Sequence, residues 1–304
     1  MLTLVAKTVV QGFQELRSRL EITNLQSSAV SKRHEHVREI LKKELPVLED
    51  DGDFLTGSYV RNTMIAPLKD ADIDIFFVLN RSYYYENNQA SLLDKVKSTL
   101  KKVYPQTTDI NRDGQAVTIS FHDFKVDVVP AFHRMLSFFF PGYLIANTIT
   151  KSWIITNPKE HIELWRKANK EHNGNLIPLI KMMKAWNKTN GGLLTSFHLE
   201  CLILEILKGK SITDFPAAVQ YVFGKARRSI RYPVLFPVRD PAVSDSNVGA
   251  YLNTQEKREA VLSRLETAYT RAKKAQELAS RGNVQEAFTN WRYIFGDYYF
   301  PAFG

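Results

Sequence analysis

Residues 54–79 read FLTGSYVRNTMIAPLKDADIDIFFVL, and this segment decides the fold of the first half of the chain. The order of residue types predicts a strand, a Gly-Ser turn, a short helix and then a second strand. Because neighbouring side chains of a strand point to opposite faces, Asp72 and Asp74 share one face of the second strand. Ile73 and Ile75 share the other face, so this strand carries its charges on one side only.

The paired carboxylates of Asp72 and Asp74 predict a metal site. Two neighbouring carboxylates on an otherwise apolar strand repel each other and are costly to desolvate unless a cation lies between them. The usual cation for a site made only of oxygen ligands is Mg²⁺. Asp70 has the same parity but precedes the strand, and we expect it in a loop or at a cap.

A third carboxylate would complete such a site, and Asp127 is the candidate. It lies in the apolar run Phe124–Val129, which predicts a strand. A buried aspartate needs a cationic partner. A salt bridge with Lys125 or Arg134 is the alternative interpretation, but the paired aspartates upstream favour the metal.

The Gly57-Ser58 turn predicts a phosphate-binding element beside the carboxylates. Glycine lets a ligand approach the backbone closely, and the amides that open the next helix carry partial positive charge. A nucleoside triphosphate would suit this place, whereas the dipeptide alone is better explained by a simple turn with a serine N-cap. Neither a Walker loop nor the glycine motif of dinucleotide-binding folds occurs in the sequence.

The composition is that of a globular protein. The chain has 304 residues, of which 44% are hydrophobic and 24% charged, so it can bury a substantial core in one large or two medium domains. The single cysteine, Cys201, excludes an internal disulfide and a Cys-rich zinc site. No apolar run suits a membrane span and no secretory signal is recognisable, so we expect a cytoplasmic protein. The net charge of +9 favours anionic partners, with ordinary solvated surface as the alternative.

Hydrophobic periodicity divides the chain into an α+β domain over residues 1–155 and a helical domain over residues 156–304. In the first domain, the runs Ala116–Phe121 and Phe124–Val129 predict a β-hairpin. The predicted helices occupy about residues 34–48, 92–103, 176–186, 197–207, 255–281 and 284–295, and the predicted loops residues 80–91 and 232–248.

Several sequence segments occur in an order that is typical of one enzyme family. They are GSYVRNT at 57–63, DID at 72–74, VDVVPAF at 126–132, WIITNPK at 153–159, LIKMMKAW at 179–186, TSFH at 195–198 and WRYIFGD at 291–297. Together they resemble the DNA polymerase β-type nucleotidyltransferases, and among these the bacterial cyclic GMP-AMP synthase/dinucleotide-synthase-like enzymes of anti-phage signalling. The resemblance spans nearly the whole chain. It implies a core with a mixed sheet and flanking helices, then a C-terminal helical domain, with the active site in the cleft between them.

The resemblance also implies roles for individual residues. Asp72, Asp74 and Asp127 would be catalytic and would hold two Mg²⁺ ions, with Mn²⁺ as a substitute. Asp127 would lie nearest to the proton that the attacking hydroxyl loses. Phosphates would be bound by Ser58, Lys184 and Ser196, with help from Gly57 and Lys181, and a base would stack on Phe197 unless that ring only packs in its helix.

The implied reaction joins nucleoside triphosphates, ATP among them, into a cyclic di- or trinucleotide. A 2′- or 3′-hydroxyl attacks an α-phosphate, pyrophosphate leaves, and a later transfer closes the ring. The product would activate a downstream effector. A ubiquitin-transfer-like regulator acting at Gly304 is a further implication, with a chain that simply ends there as the alternative. Neither nucleic acid nor a membrane is required, and we expect a monomer.

Two other functions stay open at this point. A nucleic-acid-extending nucleotidyltransferase, of the CCA-adding or oligoadenylate type, would use the same carboxylates, and the basic charge suits it. Against it, no appended RNA-binding domain is recognisable in the sequence. A catalytically inactive nucleotide-binding module is disfavoured because three costly strand carboxylates are present.

Overall fold

The computed structural model describes residues 6–45, 52–86, 88–107, 109–134 and 142–304. Helices and strands alternate in the first half, and helices dominate the second half. The helices are α1 Val9–Leu20, α2 Asn24–Glu44, α3 Gly57–Val60, α4 Ser82–Glu86, α5 Gln89–Val103, α6 Pro158–Glu171, α7 Leu176–Thr189, α8 Ser196–Leu207, α9 Phe215–Arg231, α10 Gln255–Ser280 and α11 Val284–Phe295. The strands are β1 Asp53–Thr56, β2 Asp72–Val78, β3 Ile110–Asp113, β4 Ala116–Ser120, β5 Lys125–His133, β6 Tyr143–Asn147, β7 Ser152–Thr156, β8 Arg239–Asp240 and β9 Val243–Asn247.

The chain forms two compact units. The sheet unit comprises Ile22–Trp165, and the helical unit comprises Met1–Glu21 together with Arg166–Gly304. Helix α1 therefore belongs to the helical unit, although the sequence pattern groups the N-terminus with the α+β domain.

The sheet unit is built on a mixed sheet in the order β1-β2-β5-β4-β3, and β6 and β7 extend it from the far end of β5. Strands β2 and β5 are parallel neighbours, whereas β4 and β5 form an antiparallel pair. The predicted hairpin at Ala116–Phe121 and Phe124–Val129 is thus confirmed.

One face of this sheet is covered by helices α2 and α5. Ile73, Ile75 and Phe77 of β2 lie in the same buried cluster as Val37 of α2 and Val96 of α5. The opposite face has a smaller apolar cluster, with the alternate β2 residues Phe76 and Val78 and their β5 neighbours Val129 and Ala131. Side-chain alternation therefore places Asp72, Asp74 and Asp127 on the face away from α2 and α5.

The helical unit has an aromatic core. The ring of Phe13 in α1 packs edge-on against Trp291 and Phe295 of α11, with centroid distances of 4.8 and 5.9 Å, and lies 5.4 Å from the ring of Phe300. Helix α7 is buried almost throughout its first three turns and contacts α1, α8, α9 and α11. The predicted stripe at 176–186 is thus the central helix of this unit.

Both predicted loops contain secondary structure. Residues 80–91 include α4 and the start of α5, because Asn80 accepts a hydrogen bond from Ser82 N (3.1 Å) and Asn88 accepts one from Ser91 N (2.9 Å). Asn88 is thus the N-cap of α5, and Asn80 forms a tight turn directly before α4. Residues 232–248 include the short β8–β9 hairpin, whose turn is held by a 2.8 Å bond from Ala242 N to Asp240 Oδ1.

The predicted helix at 34–48 is the second part of α2, and its last residues lie outside the part of the chain that the structure describes. Across the described residues, we find no helix with both the length and the apolar character needed to cross a bilayer.

Candidate active site

The three predicted catalytic carboxylates lie on two adjacent parallel strands. Asp72 is the first residue of β2, and Asp74 follows on the same face. Asp74 is the Cα partner of Asp127 in the β2–β5 ladder. Neighbouring strands are about 4.8 Å apart, so these two backbones present their carboxylates side by side. Asp70 lies before the strand in a short 3-10 helix, as the sequence predicted.

Asp127 has a strongly perturbed carboxyl group. Its Oδ1 accepts a 2.6 Å hydrogen bond from Thr118 Oγ1 of β4. Burial raises the pKa of this carboxyl to about 6, against the lowering effect of the Thr118 hydrogen bond. The charges of Asp72 and Asp113 raise the pKa of Asp127 further, and Lys125 lowers it. A carboxylate in this position is short of positive charge.

Asp72 is in the same electrostatic environment. Partial removal of water raises the pKa of its carboxyl, Lys125 lowers it, and Asp113 at the end of β3 raises it. Asp113 pairs with Ala116, which lies in the apolar cluster of the carboxylate face, so it is a fourth acidic residue on that face. Asp113 thus raises the pKa values of Asp72 and Asp127, and Lys125 lowers them. Burial raises the pKa values of both aspartates.

The backbone of Gly57 lies in close contact with the side chain of Asp74. It has a positive φ of 71°, and a Cβ atom added there would lie 1.7 Å from Oδ2 of Asp74. Any other residue would be strained in its backbone and would displace the carboxylate. The glycine therefore lets the backbone of residue 57 lie directly against the Asp74 carboxylate.

The backbone carbonyl of Ser58 fixes the loop that follows α3. Its carbonyl oxygen accepts hydrogen bonds from Thr63 N (2.9 Å) and Met64 N (3.1 Å), which closes the loop that follows α3. Helix α3 is a single turn of four residues, so its dipole is small, and phosphate binding here would depend on the local amides and the Ser58 hydroxyl.

These residues fit divalent cations by their chemistry. The donors are carboxylate oxygens, and the pKa values of Asp72 and Asp127 are raised by burial and by like charge. The side chains are not gathered in a closed cage: among the described residues, no group of three or more His, Cys, Asp and Glu is placed to hold a metal ion.

The predicted phosphate-binding lysines both lie buried on α7 in the helical unit. Lys181 Nζ is 2.6 Å from Glu21 Oε2, and Lys184 Nζ is 3.1 Å from Glu200 Oε1. The pKa of Lys181 is lowered first by burial and then by the charges of Lys184 and Arg17, whereas Glu21 raises it. Two cationic side chains spaced three residues apart share one face of the helix.

Ser196 and Phe197 open helix α8, and Ser196 is exposed while Phe197 is partly buried. Ser196 precedes Glu200 by one helical turn, so it lies on the side of α8 that faces Lys184. The start of α8 is fixed from outside the helix. Tyr251 Oη accepts a 3.0 Å hydrogen bond from Thr195 N and lies 3.0 Å from His198 Nδ1.

Sequence reasoning missed Thr118, Glu200 and Glu21. Thr118 could have been found, because a tight hairpin between Phe121 and Phe124 places Thr118 opposite Asp127, as the structure has it. No sequence signal pointed to Glu200 or Glu21, whose roles come from helix packing.

The sequence of residues 8–169 matches the family described as the Second Messenger Oligonucleotide or Dinucleotide Synthetase (SMODS) domain. The chain is 26% identical over 309 residues to the cyclic AMP-AMP-AMP synthase of an Acinetobacter species, in a match that covers 95% of this chain and 85% of that protein.

Solved structures with the same fold include CdnC of Escherichia coli MS115-1 with ATP, at a TM-score of 0.77 and 17% identity, covering 96% of this chain and 99% of that one. The CdnC:HORMA-deltaN complex of the same strain gives a TM-score of 0.75 at 17% identity, covering 96% and 98%. The predicted combination of a polymerase β-like core with a C-terminal helical region is confirmed.

Proposed function

Because the chain belongs to the SMODS family of second-messenger oligonucleotide synthetases, we propose that it joins nucleoside triphosphates into a cyclic di- or trinucleotide. Each transfer releases pyrophosphate, and the product is a second messenger in anti-phage defence. The predicted family and the predicted nucleotidyltransferase activity agree with this membership. The observation that carries the proposal is the set of three carboxylates on one sheet face, with Gly57 against Asp74.

We propose that Asp72, Asp74 and Asp127 hold two divalent cations, Mg²⁺ or Mn²⁺. When bound, these ions supply charge neutralisation at the transferred phosphoryl group and acidify the attacking hydroxyl. Asp127 has Oδ1 engaged by Thr118, so Oδ2 is the atom that would take the proton of that hydroxyl.

The triphosphate would be bound by positively charged side chains and hydrogen-bond donors. Ser58, the Gly57 amide, Lys184, Lys181 and Ser196 are the groups proposed to bind its phosphate oxygens. Phe197, which is partly buried at the start of α8, would stack on a base.

Adenosine triphosphate is the proposed substrate. The Acinetobacter relative is a cyclic AMP-AMP-AMP synthase, and the CdnC structure contains ATP. A nucleic-acid-extending enzyme is not favoured, because the Acinetobacter relative, which matches nearly the whole chain, makes a cyclic nucleotide.

The test is a synthesis assay with the purified chain, labelled ATP and the other three nucleoside triphosphates, and Mg²⁺ or Mn²⁺, without nucleic acid. We expect a phosphatase-resistant product whose mass identifies a cyclic di- or trinucleotide. Asp72→Asn and Asp74→Asn should abolish it, while Asp70→Asn, which changes an aspartate that precedes the strand, should not. Extension of added RNA with no cyclic product would overturn the proposal.

We further propose a cytoplasmic, monomeric enzyme whose product activates a separate effector protein. CdnC forms a complex with HORMA-deltaN, so a protein regulator is also proposed for this chain. A ubiquitin-transfer-like regulator would use Gly304, which is exposed. Mass spectrometry after co-expression with neighbouring genes tests this, and the absence of a Gly304 conjugate would remove it.

A further inference from the structure

Two lysines of α7 have carboxylate partners of very different exposure. Glu200, the partner of Lys184, has a side chain that is 0% exposed, whereas Glu21, the partner of Lys181, has one that is 47% exposed. Both lysine side chains are themselves buried, at 8% exposure for Lys184 and 3% for Lys181. The two ion pairs lie on the same face of one helix, yet only one of the two carboxylates can regain water by moving away.

The energetics of the two pairs therefore differ. Separating a buried pair leaves an uncompensated charge in the interior, so the bond between Lys184 and Glu200 is costly to break. Glu21 is half exposed and can regain water when it swings into solvent, whereas Lys181, at 3% exposure, would then need another anion. The bond between Lys181 and Glu21 is exchangeable for another anion.

Glu21 occupies an unfavourable place for a negative charge, and its ion pair with Lys181 accounts for it. It is the C-cap residue of α1, where the helix carbonyls make a negative charge unfavourable. The last turn of α1 carries Arg17 and Arg19, which suit that helix end. Glu21 is also the last residue of the helical unit before the chain enters the sheet unit at Ile22.

The surroundings of Lys181 are cationic. Lys184 and Arg17 both lower its pKa through their charges, and Glu21 raises it. Without Glu21, the charges of Lys181, Lys184 and Arg17 would repel one another with less compensation. A polyphosphate would satisfy this group in the same way as Glu21, with more charge and more oxygen atoms.

We propose that Glu21 is a competing anion that occupies Lys181 until the triphosphate of a bound nucleotide displaces it, so that Glu21 sets the nucleotide affinity. This inference rests on the proposed function, since it takes Lys181 as a phosphate-binding residue. Replacing Glu21 should therefore tighten binding, whereas replacing a lysine of the same cluster should weaken it.

The experiment measures binding by calorimetry, with inorganic tripolyphosphate and with α,β-methylene-ATP, which cannot react at its α-phosphate. Glu21→Gln should bind both ligands at least about twofold more tightly than the wild type, because ion pairs exposed on both sides already contribute about this much and this pair is exposed only at Glu21. Lys181→Gln should bind them more weakly. In the Lys181→Gln background, Glu21→Gln should have no further effect.

Glu15→Gln is the matched control. Glu15 lies on the same helix and forms a partly exposed ion pair with Arg19 at 2.9 Å, so its replacement removes the same charge without touching Lys181. It should leave both affinities unchanged. Equal tightening by Glu15→Gln would show a general charge effect and overturn the proposal, as would unchanged or weaker binding by Glu21→Gln.

The synthesis assay separates this inference from the proposed function. If the wild type forms no cyclic product, the proposed function fails, while the tripolyphosphate titrations still decide whether Glu21 competes for Lys181. If the wild type forms product and Glu21→Gln binds no more tightly, only the inference fails.

Discussion

The backbone of Gly57 lies directly against the carboxylate of Asp74: a Cβ atom built on residue 57 would be 1.7 Å from Oδ2. The two residues come from different elements, α3 and β2, which the β1–β2 pairing brings together because Thr56 is the Cα partner of Asp74. The turn and the acidic strand are thus one structural feature, and neither can change without the other.

Gly57→Ala is expected to abolish product formation. The left-handed backbone costs a non-glycine residue about 1–2 kcal/mol, and the methyl group would push Asp74 aside. A displacement of about 1 Å at a reacting centre can cost about a hundredfold in rate, so we expect at least that loss in initial rate. Gly114→Ala is the control, because Gly114 also has a positive φ, of 55°, but its added Cβ would meet only Ile149 at 3.4 Å.

The two alanine variants should lose similar stability in thermal unfolding, and only Gly57→Ala should lose activity. An active Gly57→Ala enzyme would mean that Asp74 has no fixed position in the reaction.

Thr118→Val tests the hydrogen bond to Asp127. A hydrogen bond to a charged group contributes about 1.5–3 kcal/mol, and its loss should raise the pKa of Asp127 above about 6. Asp127 must be ionised to act, so activity should fall about tenfold near neutral pH, an effect of about 1.4 kcal/mol. The acid limb of the rate profile should move to higher pH. Initial rates between about pH 5.5 and 8.5 measure both effects.

Thr118→Ser keeps the hydroxyl and should restore the wild-type profile. A Thr118→Val enzyme with an unchanged acid limb would show that Thr118 does not control Asp127.

The carboxylate face could be predicted from sequence because strand geometry fixes it. Alternation alone places Asp72 and Asp74 together, and the apolar run around Asp127 required a neighbouring buried strand. The parallel pairing of β2 with β5, which puts Asp127 beside Asp74, could not be read from local patterns.

The two lysine–glutamate ion pairs could be predicted only in part from the sequence. The stripe on α7 predicted a buried helix, and it correctly gave Lys181 and Lys184 the same face. It could not supply Glu21, which is 160 positions from Lys181 in the sequence, because the packing of α1 on α7 depends on tertiary contacts. The predicted loop at 80–91 was wrong for a local reason: Asn88 is the N-cap of α5 and Asn80 forms the turn before α4, and the residue types that cap helices also favour loops.

Glu200→Gln is expected to destabilise the chain strongly. Removing one partner of a buried ion pair leaves the other charge uncompensated, at a cost of about 3–5 kcal/mol. Urea unfolding followed by tryptophan fluorescence measures this loss. Glu205→Gln, on the exposed side of the same helix, should change stability little. The double variant Lys184→Met/Glu200→Leu should recover much of the stability but not nucleotide binding. If Glu200→Gln unfolds at the wild-type urea concentration, the pair is not a fixed element of the helical unit.

His198 should make the stability of the helical unit depend on pH. Burial lowers the pKa of this imidazole from 6.5 to about 4, and the side chain lies at the start of α8 beside Tyr251. The unfolded chain therefore binds a proton between these values that the folded chain does not. The contribution of His198 is fully present above about pH 6.5 and is lost as the pH falls towards 4. Between about pH 7.5 and 5.0 we expect a loss of about 2 kcal/mol from this residue.

The measurement compares urea unfolding of the wild type and His198→Gln at the two pH values. Glutamine keeps an acceptor for Tyr251 but does not titrate, so the variant should show a smaller acid loss by about that amount. His122→Gln, at an exposed bend, should retain the wild-type loss. Equal acid losses in the wild type and His198→Gln would show that His198 does not stay neutral in the folded chain.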